Sequence, residues 1–243
     1  MLYNKNAIYI FKSLMYNHCI IDKKELKAMR NRIIEDIEKN KLIVIIRGVD
    51  REKLLPLAEA LYKGGIRLIE VTFSADGSTD DAYTAENIRI LSEAFRGRLR
   101  VGAGTVLTEE QVELTANAGG EFIISPDTYA PVIERTRALG MVSIPGAMTP
   151  SEIALAHRVG ADFVKLFPVS GVGPKYVKAV TAPLSHVKLL AVGGINESNM
   201  KEYLSTGVKG FGIGNNLVDK RLLGENDYDG ITALARKYVQ EVE

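Results

Sequence analysis

A chain of 243 residues is long enough to bury one core, and 46% hydrophobic with 25% charged residues is ordinary globular composition, which excludes collagen-like repeats and a wholly disordered chain. A formal net charge of +1 without a long basic block removes the electrostatic case for nucleic acid as a partner. One cysteine, Cys19, cannot form an intrachain disulfide, and His18, His157 and His186 are too dispersed for a metal-binding spacing, so no metal and no cofactor is expected and the setting reads as reducing and cytoplasmic.

Residues 1–28, rich in Lys, Tyr and Asn, read as an extension ahead of a single domain over 29–243, with Met29 a candidate alternative start. The apolar run 7–11 ends at Lys12 without a small-residue cleavage pattern, and no apolar stretch reaches the ~20 residues that span a bilayer, so neither signal peptide nor membrane anchor is expected. A polar helix is predicted over 23–37. From Leu42 a rhythm sets in: β-rich runs begin near Leu42, Arg67, Val101, Glu121, Met141, Asp162, Val187 and Lys209, each followed by a helix-like segment. Their starts lie roughly 20 to 34 residues apart, the span of a strand, a loop and a returning helix. Eight such units predict an α/β fold in one domain, the (β/α)8 or TIM barrel, which commonly uses about 250 residues.

Local punctuation agrees. Gly64-Gly65, Gly119-Gly120, Gly160 and Gly207 each precede a strand, where glycine can end a helix in the left-handed conformation. Thr108 with Gln111, and Thr149 with Glu152 and Pro150, mark helix starts as capping boxes. The strands LIVIIR, RLIEVTF, FIIS and KLLAV are nearly continuous apolar runs, as expected where helices cover one face and a packed interior the other.

A charge inside such a run needs a reason. Alternation puts Leu68, Glu70 and Thr72 on one face and Phe163, Lys165 and Phe167 on another. Both charged residues fall toward strand C-termini, the end at which barrel active sites collect. Lys165, with Phe163, Leu166 and Phe167 as apolar neighbours, is a candidate imine-forming amine, because burial disfavours the ammonium and raises the nucleophilic fraction. The same spacing suits a lysine snorkelling from a strand end to water. Glu70 is the candidate acid/base, since imine formation, bond cleavage and enamine protonation each move a proton; a structural ion pair, perhaps with Lys165, is the other use of such a carboxylate.

Gly193 and Gly194, in a VGGIN segment read as leaving a strand and opening a helix, could bring backbone N–H groups to an anion. Gly214 and Asn215 follow the eighth strand, and barrels frequently bind phosphate between the loops after strands 7 and 8. Arg47, at the end of the first strand, could fork onto a substrate carboxylate or be a solvated surface charge. Thr105 offers a hydroxyl to the same cup or caps its turn.

The stretches GGIRLIEVTF, VGAGTVLTEEQV, FIISPDT, SIPGAMTPSE, GADFVKLFP, AVGGIN and GIGNNLV, in this order from about residue 29 to the C-terminus, resemble the bacterial 2-keto-3-deoxy-6-phosphogluconate (KDPG) and 4-hydroxy-2-oxoglutarate (KHG) aldolase family. The resemblance implies a class I aldolase, metal-independent, with Lys165 as the Schiff-base residue and Glu70 as the general acid/base. It further implies that Thr105, Phe167 and Pro145 line the substrate site, that Gly193 and Gly194 form the phosphate loop, and that the chain is a homotrimer acting on a small phosphorylated keto acid. Two departures stand out. Ser74 occupies a position where some members carry an arginine that holds the substrate carboxylate, a task that would pass to Arg47. Asn215 replaces a serine common in the last phosphate loop. KDPG cleavage to pyruvate and glyceraldehyde 3-phosphate is the leading expectation, with KHG cleavage to pyruvate and glyoxylate beside it. The phosphogalactonate epimer is an alternative, and a phosphate-binding isomerase or synthase on the same fold a remoter one.

Overall fold

The computed structural model describes residues 23–243; of the extension expected over 1–28, the part up to residue 22, with the apolar run at 7–11, lies outside them. Helix α1 (Lys23–Asn40) starts where the polar helix was predicted, crosses position 28 without a break and runs to Asn40. Strands β1 (Leu42–Ile46), β2 (Leu68–Thr72), β3 (Arg100–Gly104) and β4 (Phe122–Ile124) then alternate with helices α2 (Arg51–Lys63), α3 (Asp81–Ala94) and α4 (Glu109–Asn117). After α5 (Ala130–Ala138) come β5 (Val142–Ile144), β6 (Gly146–Ala147), α6 (Pro150–Val159) and β7 (Val164–Leu166). The chain continues through α7 (Gly173–Thr181), β8 (Leu189–Val192), α8 (Met200–Leu204), β9 (Gly210–Ile213), α9 (Lys220–Gly224) and α10 (Tyr228–Gln240).

The strands are parallel, in the order β5-β4-β3-β2-β1-β9-β8-β7-β6. Nine segments appear where eight strands were expected because the fifth is interrupted. Pro145 has no N–H to give the ladder, and the chain on either side of it pairs with different neighbours: β5 with β4, β6 with β7. Bonds from Phe163 N to Ser143 O (3.2 Å) and from Lys165 N to Pro145 O (2.8 Å) stitch the seam. The result is a nearly closed eight-stranded (β/α) barrel. Gly65, Gly119, Gly160 and Gly207 carry positive φ values of 99, 82, 111 and 96°, the left-handed turn expected between helix and strand. Of the two predicted capping boxes, Thr149–Glu152 is complete. At Thr108 only half forms: its hydroxyl accepts from Gln111 N, but the Gln111 side chain accepts instead from Leu107 N.

Alternation along the strands sorts two cores. Leu42, Val44, Ile46, Ile69, Val71, Val101 and Ala103 face the helices, whereas Ile43, Leu68, Phe122, Ile124, Val142, Phe163 and Leu190 fill the barrel together with Ile33 and Ile37 of α1. Helix α1 therefore plugs the N-terminal mouth, and it is pinned there by Asp36 to Arg100 (2.8 Å) and Glu38 to Lys188 (3.0 Å). The C-terminal ends of the strands lie at the opposite mouth. Ile37 is 1% exposed, so Ile37→Ala is expected to cost about 2–5 kcal/mol, read as a lowered denaturant midpoint with an unchanged slope. Among the described residues no helix is long and apolar enough to cross a membrane.

Candidate active site

Glu70 lies on the inner face of β2, in register with Ile45 on one side and Gly102 on the other. Lys165 lies on the inner face of β7, in register with Gly146 and Leu190. Both are buried, at 2% and 7% exposure, which excludes the snorkelling geometry for Lys165. Burial pushes the Glu70 carboxyl up to about 7, although the charges of Lys165 and Arg47 pull it down. Burial likewise holds the Lys165 amine below the usual lysine range; Glu70 opposes that fall and Arg47 adds to it. The two groups feel each other without an ion pair within 4.0 Å, and Glu70 Oε2 is buried with no hydrogen-bond partner. An orphaned buried carboxylate oxygen is costly, and it is the arrangement a water or a substrate hydroxyl would complete.

The remaining cup residues gather around this pair. Phe167 places its ring 4.7 Å from Lys165 Nζ, close enough for a cation–π contact whenever the amine is charged. Phe163 is fully buried in the barrel beneath the lysine, but Leu166, expected beside them, points the other way and packs under the helices, as alternation requires. Pro145 contributes its carbonyl, which accepts from Lys165 N–H and so fixes the height of β7 at the seam. Arg47, exposed at the end of β1, donates from Nη2 to Thr105 Oγ1 at 3.1 Å. Thr105 has φ 56°, an unusual conformation for a threonine, and this turn brings its hydroxyl toward Arg47. Ser74 is engaged by its own loop, bonded to Asp76 and, at 2.8 Å, to Ser78 Oγ.

The glycine loops adjoin, with one correction to the sequence reading. Gly193 and Gly194 have φ 98 and 75°, but no helix opens at Ile195. Asn199 accepts from Asn196 N and donates to Gly194 O, holding 194–199 as a turn, and α8 begins only at Met200 and is five residues long. Two asparagines 196 and 199 compete with helical hydrogen bonding here. Any anion at this loop would thus meet turn amides, not a helix end. The loop after β9 turns at Gly214, whose carbonyl accepts from Leu217 and Val218. Asn216 Nδ2 bonds Ile195 O at 2.8 Å and ties the two loops together, while Asn215 stays exposed beside it. Sequence reasoning overlooked the third wall. A Cβ at Gly194 would stand 2.7 Å from Ser170 Cβ, and one at Gly193 3.3 Å from Pro168, so the short turn Val169–Gly171 after the lysine strand closes the side of the same recess. Its signal was present in SGVGP, a glycine-rich stretch shortly after the strand that bears the lysine.

A (β/α) barrel whose open mouth holds a buried amine and a buried carboxyl titrating near neutrality defines an enzyme class equipped for amine chemistry on a carbonyl. Residues 33–234 match the model of the KDPG and KHG aldolases, and the chain belongs to that family. It is 31% identical over 214 residues to the 2-dehydro-3-deoxy-phosphogluconate aldolase of Haemophilus influenzae, covering 87% of this chain and 97% of that one. It is also 31% identical over 203 residues to the 2-dehydro-3-deoxy-6-phosphogalactonate aldolase of Escherichia coli K12, covering 83% and 96%. Among solved structures, the KDPG aldolase of Legionella pneumophila, with pyruvate captured as a covalent carbinolamine intermediate, superposes with a TM-score of 0.73 at 31% identity, covering 81% of this chain and 93% of that one. The chain is an aldolase, a carbon–carbon lyase.

Proposed function

We propose that this aldolase cleaves KDPG to pyruvate and glyceraldehyde 3-phosphate through a Schiff base on Lys165, and KHG to pyruvate and glyoxylate by the same steps. The observation that carries the reading is the buried Lys165 amine, its pKa lowered by burial, facing a buried Glu70 carboxyl across a gap that lacks a direct ion pair. Neutral Lys165 adds to the C2 ketone, and Glu70, through a water, protonates the carbinolamine hydroxyl so that it leaves as water and the iminium remains. Glu70, through a water, takes the proton of the C4 hydroxyl as the C3–C4 pair moves into the iminium. The aldehyde departs and an enamine remains. Protonation at C3 and hydrolysis then release pyruvate and restore the amine. Gly193, Gly194, Gly214 and Asn215 bind the phosphate of the distal half, and Thr105, Phe167 and Pro145 line the pyruvyl end. An isomerase or synthase on this fold would have no use for the lysine, and the family membership sets that alternative aside.

Arg47 takes the substrate carboxylate in place of the arginine absent at Ser74. The support is its exposed guanidinium, held by Thr105 at the rim within electrostatic reach of both Lys165 and Glu70. Arg47→Ala is expected to raise KM with a smaller change in kcat, lowering kcat/KM by roughly thirtyfold, the loss of about 2 kcal/mol typical of a charge-assisted hydrogen bond. Equal kinetics in the variant would place the carboxylate elsewhere.

The phosphogalactonate epimer is the second reading, favoured by the relative that bears its name at the same identity. Pyruvate release measured on KDPG, its galactonate epimer and KHG separates the two: a kcat/KM highest on KDPG supports the proposal, and a clear preference for the epimer replaces it.

A further inference from the structure

The inner face of β3 carries no side chain where it passes Glu70. Val101 and Ala103 face the helices, so alternation leaves Gly102 and Gly104 facing inward. The bare strip is covered from both sides. A Cβ at Gly102 would stand 2.3 Å from the Phe122 ring and 2.5 Å from the Phe122 carbonyl oxygen. One at Gly104 would stand 2.4 Å from Glu70 Oε1 and 2.7 Å from its carboxyl carbon. The register partner of Glu70 is Gly102, whereas that of Gly104 is Thr72. The Glu70 carboxyl therefore leans past its own partner toward the C-terminal mouth and comes to rest over Gly104. Backbone conformation does not require glycine there, because Gly104 is an ordinary strand residue outside the positive-φ set. What glycine supplies is space.

We propose that Gly104 is a positioning residue: its missing Cβ is the seat of the Glu70 carboxyl and sets the height at which that carboxyl meets the Lys165 imine. The inference rests on Glu70 acting as the acid/base. Gly104→Ala is a usable probe, since the atoms it meets at under 3.0 Å are the far end of a flexible side chain; Gly102→Ala, which meets a carbonyl oxygen, is instead expected to disturb the fold.

The assay is exchange of the pyruvate methyl protons in D2O, followed by NMR, with borohydride trapping of pyruvate in parallel. Trapping reports imine formation on Lys165. Exchange additionally needs a C3 proton to leave to a base and a deuteron to return. In Gly104→Ala, trapping is expected to persist while exchange falls by about a hundredfold, the scale of a misplacement near 1 Å. Exchange at the wild-type rate overturns the positioning role. Glu70→Gln run alongside keeps the two failures apart: undiminished exchange there removes the acid/base role from Glu70 itself. A thermal-unfolding cycle covers the case of a poorly folded variant. Gly104→Ala should lower Tm more in the wild type than in the Glu70→Ala background, where only the 3.0 Å contact with Thr72 Cγ2 remains. An equal drop in both backgrounds means the cost arises elsewhere in the barrel, and overturns the proposal.

Discussion

Lys165→Ala is expected to lose pyruvate release by on the order of 10⁵-fold or more while remaining folded, because the proposed Schiff base loses its nucleophile and only binding and polar groups are left behind. Lys165 is 7% exposed and faces Phe163, Gly146 and Leu190, so alanine removes a buried polar head that has no direct counterion. Stability should accordingly hold or rise slightly. Borohydride with pyruvate should label the wild type at Lys165 and leave the variant unmodified. A labelled variant, or one that retains turnover, would move the imine to another lysine.

Glu70→Gln carries the second large effect, with two readouts of opposite sense. In the proposed mechanism Glu70 must be ionised to take the C4 hydroxyl proton, so kcat/KM of the wild type should climb with pH through about 7, the value to which burial raises the carboxyl. The variant should lose about 10²–10⁴ in rate and lack that limb. For folding, the sign is reversed. The carboxyl titrates at about 7 folded and near 4.5 unfolded, so between those values the native state binds more protons and stability falls as pH rises. The Glu70 contribution is fully present below about pH 4.5 and lost through pH 7, a change on the order of 3 kcal/mol. Glutamine does not titrate, so the stability gap between variant and wild type should widen in the variant's favour from pH 4.5 to 8. Parallel stability curves across that range would show that the carboxyl is not desolvated in solution, and the kinetic argument built on burial would fail with them.

Much of the site was legible because strand alternation is local. Once RLIEVTF and DFVKLFP are strands, alternation groups Glu70 with Leu68 and Lys165 with Phe163 without knowing the rest of the chain, and the structure puts both of those faces inside the barrel. The glycines at 65, 119, 160 and 207 were legible for the same reason: the left-handed turn they make depends on their own φ and on little else. The Arg47–Thr105 bond, 58 residues apart in sequence, was not, nor was the tie from Asn216 to Ile195, because each needs two loops brought side by side by barrel closure. The turn after Gly194 was misread for a local reason, since asparagine side chains at 196 and 199 captured the backbone groups a helix would have used.

The sequence by itself determined the repeat, the eight strand positions, which residues of a strand share a face and the residue types available for chemistry, since all of these follow from periods of two and of about twenty to thirty residues. Only the tertiary structure decided that the fifth strand breaks at Pro145 to pair with two neighbours, that α1 plugs one mouth, and that Gly104 holds an empty space into which Glu70 leans. Burial of Glu70 and Lys165, and with it their shifted protonation, belongs to that second group, because desolvation is the sum of many distant groups closing around a charge and no single stretch of chain contains it.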